Sequence, residues 1–409
     1  APDHPKLKTV SRAFERIAEK PGFRFLGNVE VGRDIGGADL ARLYDAVIYA
    51  VGAATDRHLG IAGEDLGGSH SATEFVGWYN GHPEYVESRF DLAAESAAIV
   101  GIGNVAMDIA RILTTDPDHL ATTDLAPYAL NTLRGASVRT LHILSRRGPV
   151  QAACTTPELR ELGEIEGVDV LVDPADLSLD PVSAERLAGD DRNAANNLTE
   201  FRRWAERGDT GASRRIVFHF CVSPIELSGT GKVEKVHLVR NHLLPDGRGD
   251  VRAVATDEGL ALPAGLVFRS IGYRAVPIEG VPFDARRGVV PNAAGRVLAS
   301  VDSGVPVPGL YVTGWIKRGP EGVIGTNKAC AAETVSHLLA DAEAGVIAPA
   351  PHRGEELDDL LARRNIRVVD WTDWQAIDRA ETTRGAPAGR PREKFTSIAE
   401  MLEVLPRPE

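Results

Sequence analysis

Apolar and polar positions along this chain switch between two periods, and the switches mark its elements. Between residues 8 and 19, Val10, Phe14 and Ile17 fall on one face at helical spacing, which predicts an amphipathic helix. Phe23 to Val31 and Tyr44 to Val51 read as strands, the second a buried run closed by the small residues Gly52 and Ala53. Ala97 to Val100 is an apolar run that breaks at Gly101 and resumes at helical spacing with Val105, Ile109 and Ile112. Val138 to Leu144, Val168 to Val172 and Arg215 to Val222 predict further strands. Lys232 to Arg240 alternates as a half-exposed antiparallel strand does. Leu266 to Ile271 followed by Gly272 repeats the pattern of a core strand closed by glycine. Near the end, Tyr311 to Thr313 enters a glycine-rich turn, with a helix predicted to start near Thr326 or Asn327. Strands alternating with helices predict an α/β chain, and the repeated strand-plus-glycine element suggests two nucleotide-binding domains.

The break in the run at Gly101 carries the first chemistry. Gly101-Ile102-Gly103-Asn104-Val105-Ala106 is a Gly-x-Gly-x-x-Ala turn between a strand and a helix. Gly101 permits the tight turn, Gly103 lets the backbone approach a pyrophosphate, and Ala106 lets helix and strand pack closely. The helix start then offers unpaired N–H groups to the phosphates. Sites for NAD usually place an acid at the end of the following strand to bind the ribose hydroxyls. Here that strand ends in Ser145-Arg146-Arg147-Gly148-Pro149. Two guanidiniums suit a 2′-phosphate, so the pattern favours NADP over NAD.

Composition narrows the classes. The chain has 409 residues, 43% hydrophobic and 25% charged, which is ordinary for a folded α/β protein of about two or three domains. A net charge of −12 argues against general nucleic-acid or anionic-membrane binding. No apolar run reaches the length of a membrane span and no signal peptide opens the chain. Cys154, Cys221 and Cys330 are far apart, so neither an iron–sulfur site nor a redox disulfide is expected, and a cytoplasmic setting fits. No His/Asp/Glu cluster has metal-ligand spacing, no Gly-x-Ser-x-Gly elbow supports a hydrolase, and His219 and His237 read as structural.

With these residues in view, the chain resembles the adrenodoxin reductase-like family of ferredoxin–NADP reductases, whose fold is of the glutathione-reductase type. The match lies in Ala1 to Lys6, Gly101 to Asp108, Ser145 to Glu158 and Gly314 to Asn327, and extends to Gly389–Lys394. The resemblance implies two Rossmann-like domains. Residues 1–92 and 303–409 would form the FAD domain with a C-terminal extension, and 93–302 an inserted NADP domain. It implies an enzyme with two cofactors, FAD and NADP, passing electrons from NADPH to a small acidic iron–sulfur protein. Asn104 and Val105 would meet the NADP pyrophosphate beside Gly101 and Gly103, Arg146 and Arg147 the 2′-phosphate, and Glu158 the nicotinamide or ribose. Gly314, Trp315, Gly322, Val323, Ile324 and Thr326 would line the flavin side. His4 and Asp108, with Glu158, would be the catalytic set, His4 and Asp108 forming a polar contact near the flavin. The partner would dock on Arg202, Arg203, Arg207, Arg214 and Arg215. The family opens with a strand and a Gly-x-Gly-x-x-Gly turn for the FAD pyrophosphate, and this chain begins beyond that point. The expectation is a truncated reductase whose helix and strands expose apolar edges. The alternative is an NADP-binding protein without FAD, a nucleotide sensor or an inactive fragment.

Overall fold

The computed structural model describes residues 2–4, 7–322, 324–351 and 355–406. The chain folds as two compact units. One comprises residues 1–8, 56–271 and 379–409, the other 9–55 and 272–378.

The first unit is built on a six-stranded sheet. Its strands run in the order Ser69–Ser71, Leu266–Arg269, Ser96–Val100, Thr140–Leu144, Arg214–His219, Val168–Val172, and all neighbours are parallel. Parallel strands need both faces covered, which is why Ala97, Ala98, Ile99 and Leu141 are fully buried. On one face the helix Asn104–Thr114 and the helix Arg192–Arg207 pack Ile109, Ala110, Phe201 and Trp204 against the strands. On the other, Ala98, Val100, Leu144 and Val267 meet Val236 and Leu238 of a three-stranded antiparallel sheet formed by 222–228, 235–245 and 251–263. The chain turns one way from Ser96–Val100 toward Thr140–Leu144 and later returns to place Leu266–Arg269 on the other side. The carboxyl end of Val100 is therefore a topological switch point, where open α/β sheets bind ligands.

The predicted strand from Arg215 to Val222 is two strands. The chain leaves the parallel sheet after His219 and enters the antiparallel one at Val222, with Cys221 at φ +53 making the corner. His219 is structural: its Nε2 lies 2.9 Å from Nδ1 of His142 on the neighbouring strand. Burial holds both rings down to about 4, reinforced at His142 by His219 and at His219 by Arg240, with Asp173 opposing. The unfolded chain therefore takes up protons below about pH 6.5 that the folded pair refuses until about pH 4. Stability should fall across that window, by up to about 3 kcal/mol for each ring, as read from urea midpoints at each pH. His219→Gln should flatten the decline; an unchanged slope would show that the pair does not titrate as a unit.

The second unit contains a four-stranded sheet in the order Val47–Tyr49, Pro306–Val312, Arg296–Leu298, Asn292–Ala293. Val47–Tyr49 pairs in parallel with Leu310–Val312, and Tyr49, Val297, Val312 and Ile316 form its core. The predicted buried run from Tyr44 to Val51 shrinks to this short edge strand, with Ile48 37% and Val51 53% exposed. The predicted strand from Phe23 to Val31 is not formed. Among the described residues its one long-range backbone pairing is a bridge between Gly27 and Val369, too short to propagate a ladder. The predicted first helix divides into a 3₁₀ turn, Leu7–Val10, and a helix, Ser11–Ala18, on which Phe14 and Ile17 are exposed rather than buried.

Candidate nucleotide and redox site

The glycine turn sits at the switch point. Gly101 has φ +122, and a Cβ there would lie 2.1 Å from the Ser270 carbonyl oxygen, so only glycine lets the two strand ends approach. Gly103 caps the 104–114 helix, and a Cβ there would meet nothing within 4 Å. The turn therefore leaves open space in front of a helix start, the cradle a pyrophosphate requires. Ala106 is fully buried, as close helix–strand packing demands. Asn104 turns its side chain to accept from the Thr155 amide at 2.8 Å, tying the turn to the segment that opens the helix Thr156–Leu162. Val105 is half-buried against the core. Asn193 and Asn197 lock that same segment through Thr156 and the Cys154 carbonyl, a role the sequence pattern does not announce.

The two arginines at the end of the next strand differ. Arg147 donates to Asp250 at 2.8 Å, and Arg186 reaches the same carboxylate at 3.4 Å. Arg146 is exposed and its guanidinium has no ion pair among the described residues. Its backbone carbonyl accepts from Asn241, which fixes the turn from behind. A free, always-charged fork at this place is what a 2′-phosphate would bind.

A second cluster gathers around Arg111, which the sequence reading missed. Arg111 is 5% exposed and faces four carboxylates: Asp3 at 2.5 Å, Asp108 at 2.5 Å, Glu158 at 3.3 Å and Glu161 at 3.1 Å. Asp108 and Arg111 lie three apart on one helix, Glu158 and Glu161 three apart on another, so helical spacing turns each pair to a common side. Burial alone would lower the arginine's pKa, but Asp3 and Asp108 more than reverse that and drive it up. Asp3 is held below its ordinary value: burial raises it, and the bond and charge of Arg111 outweigh the burial. Glu158 is pushed upward by burial and by the Asp108 charge, against the pull of His4 and Arg111.

His4 joins this cluster through glutamates. Its Nε2 lies 2.7 Å from Glu161 Oε2 and its Nδ1 3.7 Å from Glu158 Oε1. Asp108 bonds to Arg111 and not to His4, so the expected direct contact is replaced by one routed through the guanidinium. The spacing of Glu161, one turn after Glu158, was the available signal for it. His4, Glu158 and Glu161 have the composition of a metal site, but Arg111, 3.3 and 3.1 Å from the two glutamates, already supplies them with a cation.

In the second unit, the glycine-rich turn departs from expectation in detail. A one-turn helix, Trp315–Arg318, precedes a long helix that starts at Ile324. Gly314 and Gly322 have φ +72 and +83, and a Cβ on Gly322 would lie 2.7 Å from the Thr326 hydroxyl. Arg318 donates to the Glu321 carbonyl and to Asn327, bracing the turn. Trp315 stacks on Tyr273, and its buried indole Nε1 has no hydrogen-bond partner among the described residues. Buried indole donors normally find an acceptor, so this one fits a flat ligand carrying carbonyl or ring-nitrogen acceptors, as a flavin does. Val323 lies outside the described residues, as does the Ile324 side chain.

A parallel sheet with a glycine turn at its switch point and an unpaired arginine at the next strand end defines a pyridine-nucleotide-binding α/β protein. No family model matches the chain. The NADPH-ferredoxin reductase FprA of Mycobacterium tuberculosis is 49% identical over 410 residues, covering 99% of this chain and 88% of that protein. The mitochondrial NADPH:adrenodoxin oxidoreductase of Arabidopsis thaliana is 40% identical over 98% of this chain and 85% of its own length. A solved structure of Mycobacterium tuberculosis FprA in complex with NADPH matches with a TM-score of 0.92 and 48% identity, covering 99% of this chain and 88% of that one. The chain belongs to the adrenodoxin reductase-like ferredoxin–NADP reductase family.

Proposed function

We propose that this chain is an NADPH–ferredoxin oxidoreductase that moves electrons from NADPH through FAD to a small acidic iron–sulfur protein. The observation that carries this is the unpaired Arg146 beside the Gly101–Gly103 turn, which selects a phosphorylated pyridine nucleotide. When bound, FAD supplies acceptance of a hydride and release of electrons one at a time. The protein's own residues do the rest. Gly103, Asn104, Val105 and the first N–H groups of their helix receive the pyrophosphate. Arg146, with its neighbour Arg147, takes the 2′-phosphate, and Glu158 faces the nicotinamide or ribose. Gly314, Trp315, Gly322 and Thr326 hold the flavin side, Trp315 by donating from its indole. His4 and Glu161 share a proton at His4 Nε2, and Arg111 fixes the charge around them through Asp3, Asp108 and Glu158. In this reading 93–302 is the NADP domain, and 1–92 with 303–409 the FAD domain and its extension.

The partner would dock on the outer face of the 192–207 helix and the strand after it. Arg202, Arg203, Arg207 and Arg215 are exposed there, whereas Arg214 turns inward to the Thr114 carbonyl and contributes less. Arg203 is partly neutralised by Glu200 and Arg215 by Asp209, which leaves Arg202 and Arg207 as the main cations. Arg202→Glu with Arg207→Glu should raise the KM for ferredoxin about tenfold at low ionic strength, with the gap closing as salt is added. A KM that stays put at low salt would move the docking face elsewhere.

Purified protein should show a visible flavin band that NADPH bleaches anaerobically and that oxidised ferredoxin restores. A colourless, folded protein that still binds NADPH would overturn the proposal.

A further inference from the structure

Apart from Lys8, the groups that hold the His4 segment in place lie far from it in the chain. Lys8 folds back over the segment that carries His4: its ammonium donates to the Pro2 carbonyl at 3.1 Å and pairs with Asp124. Asp124 is 2% exposed, and its other oxygen faces Lys394 Nζ at 3.4 Å. Lys394 also donates to the Asn80 carbonyl at 3.2 Å. The carbonyls on either side of Asp124, those of Thr123 and Leu125, both accept from the buried guanidinium of Arg390. A carboxylate this enclosed persists only with its charge compensated. Lys8 from one end of the described chain and Lys394 from the other supply that compensation.

We infer that Asp124 is the positioning residue of the His4 segment. Held in place by Arg390 and Lys394, it anchors Lys8, and through Lys8 the backbone at Pro2, so that His4 is presented to Glu161. Asp124 is not among the residues assigned above to the nucleotide or the flavin, and it acts through His4. The inference rests on the proton-sharing role given above to His4 and Glu161. It adds that residues 379–406 serve the chemistry by fixing a loop on which the opposite end of the chain is fastened.

Lys8→Met is the decisive variant, because it cuts the link to the His4 segment and leaves Asp124, Lys394 and Arg390 together. Asp124→Asn is the second. In the flavin-loaded protein, hydrogen exchange in the peptide carrying Asp3 and His4 should quicken at least about tenfold in both, while the 104–114 helix keeps its protection. Flavin reduction by NADPH in stopped flow should slow about tenfold with NADPH affinity unchanged. Made in a His4→Gln background, Lys8→Met should cause no further loss, since its effect passes through His4. Unchanged exchange at Asp3 and His4, or a loss that repeats in full in the His4→Gln background, overturns the inference. If His4→Gln alone leaves the reduction rate intact while exchange still quickens in Lys8→Met, the proton-sharing role fails and the anchor stands.

Discussion

Replacing Arg146 by alanine weakens NADPH binding about a hundredfold and leaves NADH nearly untouched. The expectation follows from the one feature that separates the two nucleotides, a phosphate with up to two charges, and from the state of the two arginines near it. A charge-assisted bond to phosphate contributes about 2–3 kcal/mol, and about 1.4 kcal/mol is a factor of ten. Arg146 has no competing carboxylate among the described residues, so its whole contribution is available to the ligand. Arg147 is already paired with Asp250, so Arg147→Ala should cost only about tenfold. The measurement is the KM for each nucleotide in flavin reduction, compared as a ratio. Equal losses for NADPH and NADH in Arg146→Ala would place the 2′-phosphate elsewhere.

The second large effect concerns two glycines that the motif treats alike and the geometry separates. Gly101→Ala sets a methyl group 2.1 Å from the Ser270 carbonyl at a backbone angle of φ +122. Relief requires moving one of two adjacent central strands, since Ser270 also donates its amide to the Val100 carbonyl. Overpacking and backbone strain together should remove about 4 kcal/mol of stability. Gly103→Ala meets nothing within 4 Å and should cost about 1 kcal/mol, the difference between glycine and alanine as a helix cap. Its penalty falls on the ligand instead, because the methyl group occupies the space the pyrophosphate needs. Urea unfolding and NADPH titration of the two variants should therefore diverge, the first variant failing mainly in stability and the second mainly in binding. Equal stability losses would refute the assignment of the two roles.

The legibility of the sequence followed the range of the interactions involved. Ser96–Val100, its turn and the 104–114 helix were readable because strand, glycine turn and amphipathic helix are all local patterns. Thr140–Leu144 and Val168–Val172 were readable as short runs rich in Val, Ile and Leu, as strands covered on both faces are. Phe23 to Val31 misled because alternation alone cannot show that its partner is a single distant residue, Val369. The break at Cys221 was hidden for a related reason: a strand changing sheets keeps its apolar pattern while the backbone turns a corner.

The same logic sorts the site. The glycines and Arg146 were found through a motif with a mechanism. Arg111 was not, because an arginine inside a helix usually reaches solvent, and only tertiary packing brought Asp3, Glu158 and Glu161 to it. Asp250, which occupies Arg147, comes from the end of a hairpin whose position the sequence leaves open.

The division of the chain into interleaved units also dictates the order in which it can be built during synthesis. Residues 56–271 contain every strand of the parallel sheet, so that sheet can assemble as soon as Leu266–Arg269 has emerged. Val47–Tyr49, made earlier, must wait for its partner Pro306–Val312, with most of the chain between them. Its open edge and the exposed Phe14 and Ile17 are then the surfaces at risk of wrong association while the ribosome is still working. Lys394 and Arg390 arrive later still, so the fastening around Asp124 forms after the parallel sheet can have assembled. An unfinished chain would hold a formed nucleotide fold before it holds a formed redox site.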